Sequence, residues 1–210
     1  MFSINSLKVK AALLSRERKV EHFYSLCEQG RQILDVGVSR EPKKKLSTLN
    51  YFLHNFRYSE DSYTGLGVSD LSGMVELFPE KRFIQYQGGK FPFNDRQFDW
   101  VFCNAVIEHV GNEDAQLFFV NEMLRVARGV FFTTPNKYFP IESHTNVVFV
   151  HWFNPIFDRI KKRYKDNLNL LSYNQLKYLL KKSSASEYQI FRNNLLGLTM
   201  TFTVVCKNNS

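Results

Sequence analysis

Apolar positions along the chain fall into short runs separated by polar turns, and their spacing switches between a helical and an extended period. From Val9 to Leu26, the residues Val9, Leu13, Val20, Phe23 and Leu26 recur at helical spacing among Lys, Arg and Glu. This predicts a leading amphipathic helix that stops near Gly30. Arg31 to Gly37 is a short apolar run ending in an acid and a glycine, the form of a buried strand entering a tight turn. Leu46 to Phe56 reads as a helix after the solvated Lys43-Lys44-Lys45 run, Tyr63 to Val68 as a strand, Leu71 to Phe78 as a short helix and Arg82 to Tyr86 as a strand. Gln97 to Asn104 is a further strand, Asp114 to Ala127 a helix with its apolar face at Leu117, Val120, Leu124 and Ala127, and Gly129 to Thr133 another strand.

Strand, helix and strand in alternation predict a parallel α/β sheet with right-handed crossovers. Beyond Pro135 an aromatic and His-rich stretch runs to Phe153, followed by a basic helix around Ile156 to Tyr164. Ser172 is placed to cap a helix that runs to Lys181. Tyr188 to Arg192 and Thr199 to Val205 close the chain as two strands, which suit an antiparallel pair at one edge of the sheet.

Composition adds bounds. With 210 residues, 44% hydrophobic and 15% aromatic, the chain suits one domain with its own core and is not a disordered segment. It divides into an N-terminal helix over 1–30, an alternating strand-and-helix half over 31–135, and looser C-terminal elements over 136–210. The net charge of +8 suggests an anionic partner. Its placement matters more, because residues 1–150 are nearly neutral and the excess belongs to the last 60. The segment 159–165 (RIKKRYK) reads as a solvated helix face or as a contact with phosphates or an anionic membrane surface. No recognised nucleic-acid-binding module is present. Three widely spaced cysteines, Cys27, Cys103 and Cys206, suit reduced thiols in the cytoplasm. The N-terminus does not read as a signal peptide, and no apolar run is long enough to span a bilayer.

In an open α/β sheet, ligands bind outside the carboxyl ends of the strands. Here those ends are Asp35-Val36-Gly37-Val38-Ser39, Gly67-Val68-Ser69-Asp70, Gln87-Gly88-Gly89, Asn104-Ala105 and Thr133-Thr134-Pro135-Asn136. A glycine lets a ligand approach the backbone, and polar neighbours fix its orientation.

The series ILDVGVS, YTGLGVSD, FIQYQGGKFPF and FDWVFCNAVIEHVG resembles the class I S-adenosylmethionine-dependent methyltransferases, and within them the type 11 methyltransferase domains. The resemblance covers about Ile33 to Val205, and FFTTPN with the later ESHT is similar to a subgroup of small bacterial methyltransferases. It implies a Rossmann-like, doubly wound, mostly parallel seven-stranded sheet with an antiparallel C-terminal edge strand. It also implies S-adenosyl-L-methionine as cofactor, held by Asp35, Gly37, Ser39, Gly67, Asp70, Gln87, Gly88, Asn104 and Ala105. Departures from the family pattern fall at this site. Ser39 and Glu41 stand where the family has its second and third glycines. Gly67 stands where an acid holds the ribose, with Asp70 the nearest substitute, and Gln87 replaces the Asp that meets the adenine amine.

Methyl transfer from a sulfonium requires a general base only when the acceptor is a protonated oxygen or nitrogen. His109 and His144 are the candidates, with Glu108, Glu142 and His151 nearby. Such a histidine also serves as a neutral ring bonded to a backbone group. The spacing of Glu142, His144 and His151 matches no zinc signature. Tyr138, Phe139, Phe149, Trp152 and Phe153 read as sheet-edge core or as the lining of an acceptor pocket. The expected function is methyl transfer to a small-molecule, lipid-linked or glycan acceptor, in the cytoplasm or at a membrane surface. A catalytically inactive methyltransferase-like binding protein and an RNA methyltransferase stand as alternatives.

Overall fold

A computed structural model describes residues 4–28, 31–40, 50–141, 152 and 168–208. The described elements are helix α1 (Ile4–Leu26), strand β1 (Ile33–Val36), helix α2 (Tyr51–His54), strand β2 (Tyr63–Gly67), helix α3 (Ser72–Leu77), strand β3 (Arg82–Gln85), strand β4 (Phe98–Asn104), helix α4 (Glu113–Val126), strand β5 (Ala127–Pro135), helix α5 (Tyr173–Lys182) and strands β6 (Glu187–Leu195) and β7 (Leu198–Lys207). Single 3-10 turns cover Glu60–Ser62 and Ile107–His109.

One seven-stranded sheet has the order β3-β2-β1-β4-β5-β7-β6. Strands β3, β2, β1, β4 and β5 pair in parallel, and β7 is antiparallel to both of its neighbours. The expected doubly wound sheet is present. The antiparallel pair forms its edge, with the C-terminal strand one place inside and β6 outermost. The order reverses between β1 and β4, so a crevice opens at the carboxyl ends of those two strands.

Strand β1 shows how the residue period partitions the core. Leu34 and Val36 face one side, packed among Val101, Val120, Met123 and Leu176. Ile33 faces the other, packed among Phe23, Phe52, Tyr63, Phe102 and Phe131. All four β1 positions are buried, as a central parallel strand requires. On the first side, Asn112 caps α4 by accepting from the Ala115 N–H at 3.0 Å. Arg125 at the far end of α4 donates to the carbonyls of Phe91 and Phe93, while Glu122 accepts from the Phe91 N–H. The Phe91-Pro92-Phe93 phrase is thereby pinned under the sheet. Ser172 caps α5 in a full capping box with Gln175, as its position predicts.

The helix expected over Leu46–Phe56 cannot run through Asn50. That residue has φ 51 and exchanges hydrogen bonds with both backbone groups of Ser39, so α2 starts after it as a single turn. Residues 41–49 and the basic segment 159–165 lie outside the described residues. Among the described residues, no helix is long and apolar enough to cross a membrane.

Candidate cofactor site

The ends of β1 and β4 and the inner face of α1 enclose a cavity of about 170 Å³. Asp35, Gly37, Ser39, Asn104 and Ala105 all line it, and α1 and α2 add Arg16, Lys19, Asn50 and Phe52. Five of the nine expected cofactor residues therefore meet in one place. A larger concavity of about 470 Å³ lies against β6 and β7, lined by Leu26, Phe191 and Val205 among others, and holds none of the strand-end residues.

Gly37 turns the chain at φ +101, and a Cβ there would sit 2.3 Å from a methyl of Val106. Only glycine suits that combination of conformation and space. The N–H groups of Gly37 and Val38 both donate to the Leu66 carbonyl, which fastens this loop across β2. At the end of β4, Ala105 adopts φ 57 while its N–H donates to the Thr133 carbonyl at 3.0 Å. A left-handed non-glycine residue at a strand end is backbone strain of the kind that gathers at ligand sites.

Asp35 is 6% exposed, and the Tyr63 hydroxyl donates to its Oδ2 at 2.6 Å. Burial raises its pKa from 3.8 to about 7, with the tyrosine bond opposing that rise. Lys19, also 6% exposed, donates to Asn104 Oδ1 at 3.4 Å, an oxygen already taken by the Thr133 hydroxyl at 2.7 Å. Burial, then the nearby Arg16, lowers the Lys19 pKa to about 8, against the pull of Glu108. Desolvation also lowers that of Arg16.

The remaining expected residues follow the same sheet edge without lining the cavity. Gly67 ends β2 so close to the first loop that a Cβ would lie 2.0 Å from the Val38 carbonyl oxygen. The missing acid is thus a packing requirement, because no side chain at position 67 fits beneath that carbonyl. Asp70 is exposed, and its Oδ1 accepts from the Ser72 N–H at 3.0 Å. Gln87 and Gly88 are exposed, with Gly88 at φ +86. Ser69, between Gly67 and Asp70, has a buried hydroxyl with no hydrogen-bond partner among the described residues.

On the acceptor side, His109 is exposed on the 3-10 turn that follows Ala105. Its neighbour Glu108 is fully buried and accepts from the Thr134 hydroxyl at 3.3 Å, while its backbone carbonyl accepts from the Asn169 N–H at 2.7 Å. Glu108 thus ties β5 and the 168–171 segment to the β4 turn. His144, with Glu142 and His151, lies outside the described residues. Tyr138 and Trp152 are exposed and meet edge to face, ring centroids 6.4 Å apart.

Arg16 and Lys19 were not among the residues singled out by sequence. Sequence periodicity gives basic positions no inward assignment, whereas the structure buries Lys19 beside Val20 and Phe23 and leaves Arg16, one turn earlier, half-buried.

A family model described as a methyltransferase domain matches residues 55–131. The chain folds as a class I S-adenosylmethionine-dependent methyltransferase domain. The solved structures that share this fold include S-adenosylmethionine-dependent methyltransferases. No curated protein matches the sequence. Among solved structures, the methyltransferase fold is shared with a SAM-dependent methyltransferase from Aquifex aeolicus, at 15% identity and TM-score 0.58, over 98% of this chain and 98% of that one. It is shared with a SAM-dependent methyltransferase, possible histamine N-methyltransferase, from Thermotoga maritima at 13% identity and TM-score 0.58, over 98% and 96%. A phosphoethanolamine N-methyltransferase 2 from Haemonchus contortus, solved with phosphomonomethylethanolamine and S-adenosylhomocysteine, is similar at 15% identity and TM-score 0.56, over 84% of this chain and 38% of that one.

The residues present fit one end of the cofactor closely. A cavity of 170 Å³ is smaller than the roughly 300 Å³ at which pockets begin to enclose whole drug-sized ligands. Its lining offers the buried Lys19 and the half-buried Arg16 for a carboxylate, and Asp35 for an ammonium. These match the zwitterionic methionine end. On the nucleoside side, the unpartnered Ser69 hydroxyl is the polar group that remains.

Proposed function

We propose that the chain transfers a methyl group from S-adenosylmethionine to a small-molecule, lipid-linked or glycan acceptor that approaches past the β4 and β5 ends. The cavity at the β1/β4 crossover carries this reading, because it brings a glycine turn, a strained strand end and buried polar groups together at the sheet's switch point. In this reading Asp35, Gly37, Ser39, Asn104 and Ala105 hold the methionine end, with Ser69, Asp70, Gln87 and Gly88 along the nucleoside. When bound, the cofactor supplies an already activated methyl group on a cationic sulfur, so the protein's work is alignment and exclusion of water. Ala105 and Val106 close the cavity from above. His109, on the turn leading away from Ala105, takes the proton of a hydroxyl or amine acceptor, and His144 is the alternative base.

Incubation with methyl-labelled S-adenosylmethionine and separate small-molecule, lipid and glycan fractions tests the reading. Label should enter one fraction, and His109→Ala should slow an oxygen or nitrogen transfer by roughly 100-fold or more. Cofactor binding with no transfer to any fraction contradicts an enzyme. That outcome favours the binding-protein alternative, which the absent acids at Gly67 and Gln87 suggest.

A further inference from the structure

The cavity contains a buried charge with no directly paired carboxylate among the described residues, Glu108 acting on it only through space. Lys19 Nζ has three donor hydrogens, and its one hydrogen bond, at 3.4 Å, goes to an oxygen that the Thr133 hydroxyl already occupies at 2.7 Å. No carboxylate among the described residues forms an ion pair with it. Asp35 is engaged by Tyr63, and Glu108 by Thr134. Arg16 lines the same cavity one helical turn earlier and adds a second positive charge. Two cations lining one cavity, Lys19 buried and Arg16 half-buried, repel each other unless an anion sits between them, and an ammonium 94% removed from solvent is costly without one.

The opposite holds at the far side of the edge. The carbonyl of Val38 excludes any acid from position 67, Gln87 is neutral and exposed, and Asp70, three residues beyond Gly67, is an exposed carboxylate with one oxygen bonded to the Ser72 N–H. Positive charge faces the place where a carboxylate would lie, and the acids of the family pattern are absent at Gly67 and Gln87, where ribose and adenine would lie. We infer that this domain selects its cofactor by the amino-acid end rather than by the nucleoside, with Lys19 and Arg16 of α1 as the partners of the methionine carboxylate. The inference rests on the reading of the cavity as the methyl-donor site.

Calorimetric titration at neutral pH with S-adenosylhomocysteine and with its decarboxylated form, S-adenosyl-3-thiopropylamine, isolates that carboxylate. Wild type should prefer the carboxylated ligand by roughly 30-fold or more, the equivalent of 2 kcal/mol for a buried charge pair. Lys19→Met should remove most of the preference while its affinity for the decarboxylated ligand stays within about twofold. A thermal midpoint no lower than wild type confirms that this variant folds. Equal affinity of wild type for both ligands, or equal weakening of both by Lys19→Met, overturns the inference and leaves the cofactor reading standing. Failure of wild type to bind either ligand at millimolar concentration overturns both.

Discussion

The two faces of the sheet are built from different side chains and do different work. The face under α4 and α5 is mixed: Val120, Met123, Leu124, Leu176 and Leu179 meet the valines of β4, β5 and β7, and its phenylalanines pair locally, Phe91 with Phe119 and Phe93 with Phe98. The face under α1 and α2 is aromatic. Phe52 stacks on Phe102 at 4.0 Å, Phe102 on Phe131 at 5.5 Å, and Phe23 of α1 meets all three rings edge to face. Flexible aliphatic chains fill volume, whereas offset rings fix relative orientation. The aromatic face also admits the groups that line the cavity, since α1 brings in Lys19 there and β1 presents Asp35, whereas the buried Gln116 and Glu122 of α4 tie loops to the other face. A rigid seat under α1 is what allows a helix to deliver a buried cation to a defined place.

Matched truncations should separate the two faces. Phe23→Ala removes a fully buried ring and should cost about 3 to 5 kcal/mol of stability in urea unfolding, with a loss of S-adenosylhomocysteine affinity as α1 loosens. Met123→Ala on the α4 face should cost about 2 to 5 kcal/mol and leave that affinity within about twofold. Equal loss of affinity in both variants would remove the distinction.

The polar groups of the aromatic face predict an unusual pH profile. Lys19 has its folded-state pKa lowered to about 8 from 10.5, so between those values the unfolded chain binds more protons and stability rises with pH. The burden it imposes below pH 8 is about 3 kcal/mol, an upper figure for what Lys19→Met would return. Asp35 has its folded pKa raised from 3.8 to about 7, so the folded state binds more protons between them and stability falls as pH rises through that window. Together these two groups place a local minimum of stability near pH 7 to 8. Urea titrations of wild type against Lys19→Met and Asp35→Asn, compared as differences, should show each slope vanish in its own variant. Differences are needed because burial raises Cys27 to about 11 and Cys206 to about 12, and those thiols destabilise the fold above pH 9. Slopes that persist in the variants would show that groups other than Lys19 and Asp35 produce them.

The smallest expected effect concerns strain at the strand end. Ala105→Gly relieves a left-handed alanine at φ 57, a gain of about 1 kcal/mol that the added freedom of the unfolded chain partly offsets. Thermal unfolding should show a midpoint unchanged or slightly raised, and a clear fall would mean that the alanine methyl has a packing role.

The sheet was legible because its strands are short apolar runs ending in turn residues, as at Ile33–Val36, and because α4 carries a clean stripe between a capping Asn112 and β5. The strand-end rule also located the residues of the cavity. Two things were hidden. Periodicity assigns a helix its apolar face but treats Arg16 and Lys19 as solvated, and only the packing of α1 against β4 shows them turned inward. The replacement of the acid at Gly67 looks like a loss in sequence, whereas its cause, the carbonyl of Val38 lying over β2, is a contact between loops about 30 residues apart.

Titration of the wild-type chain with S-adenosylhomocysteine, alongside Gly37→Arg, tests cofactor binding at the β1/β4 cavity most directly. Saturable binding by wild type is expected, with a stabilisation of about 2.7 kcal/mol at a ligand concentration 100 times the Kd. The arginine, which must displace Val106 and adopt φ +101, should abolish binding. Undiminished affinity in Gly37→Arg, or no heat and no thermal shift in wild type at millimolar ligand, would contradict a cofactor site at this crevice.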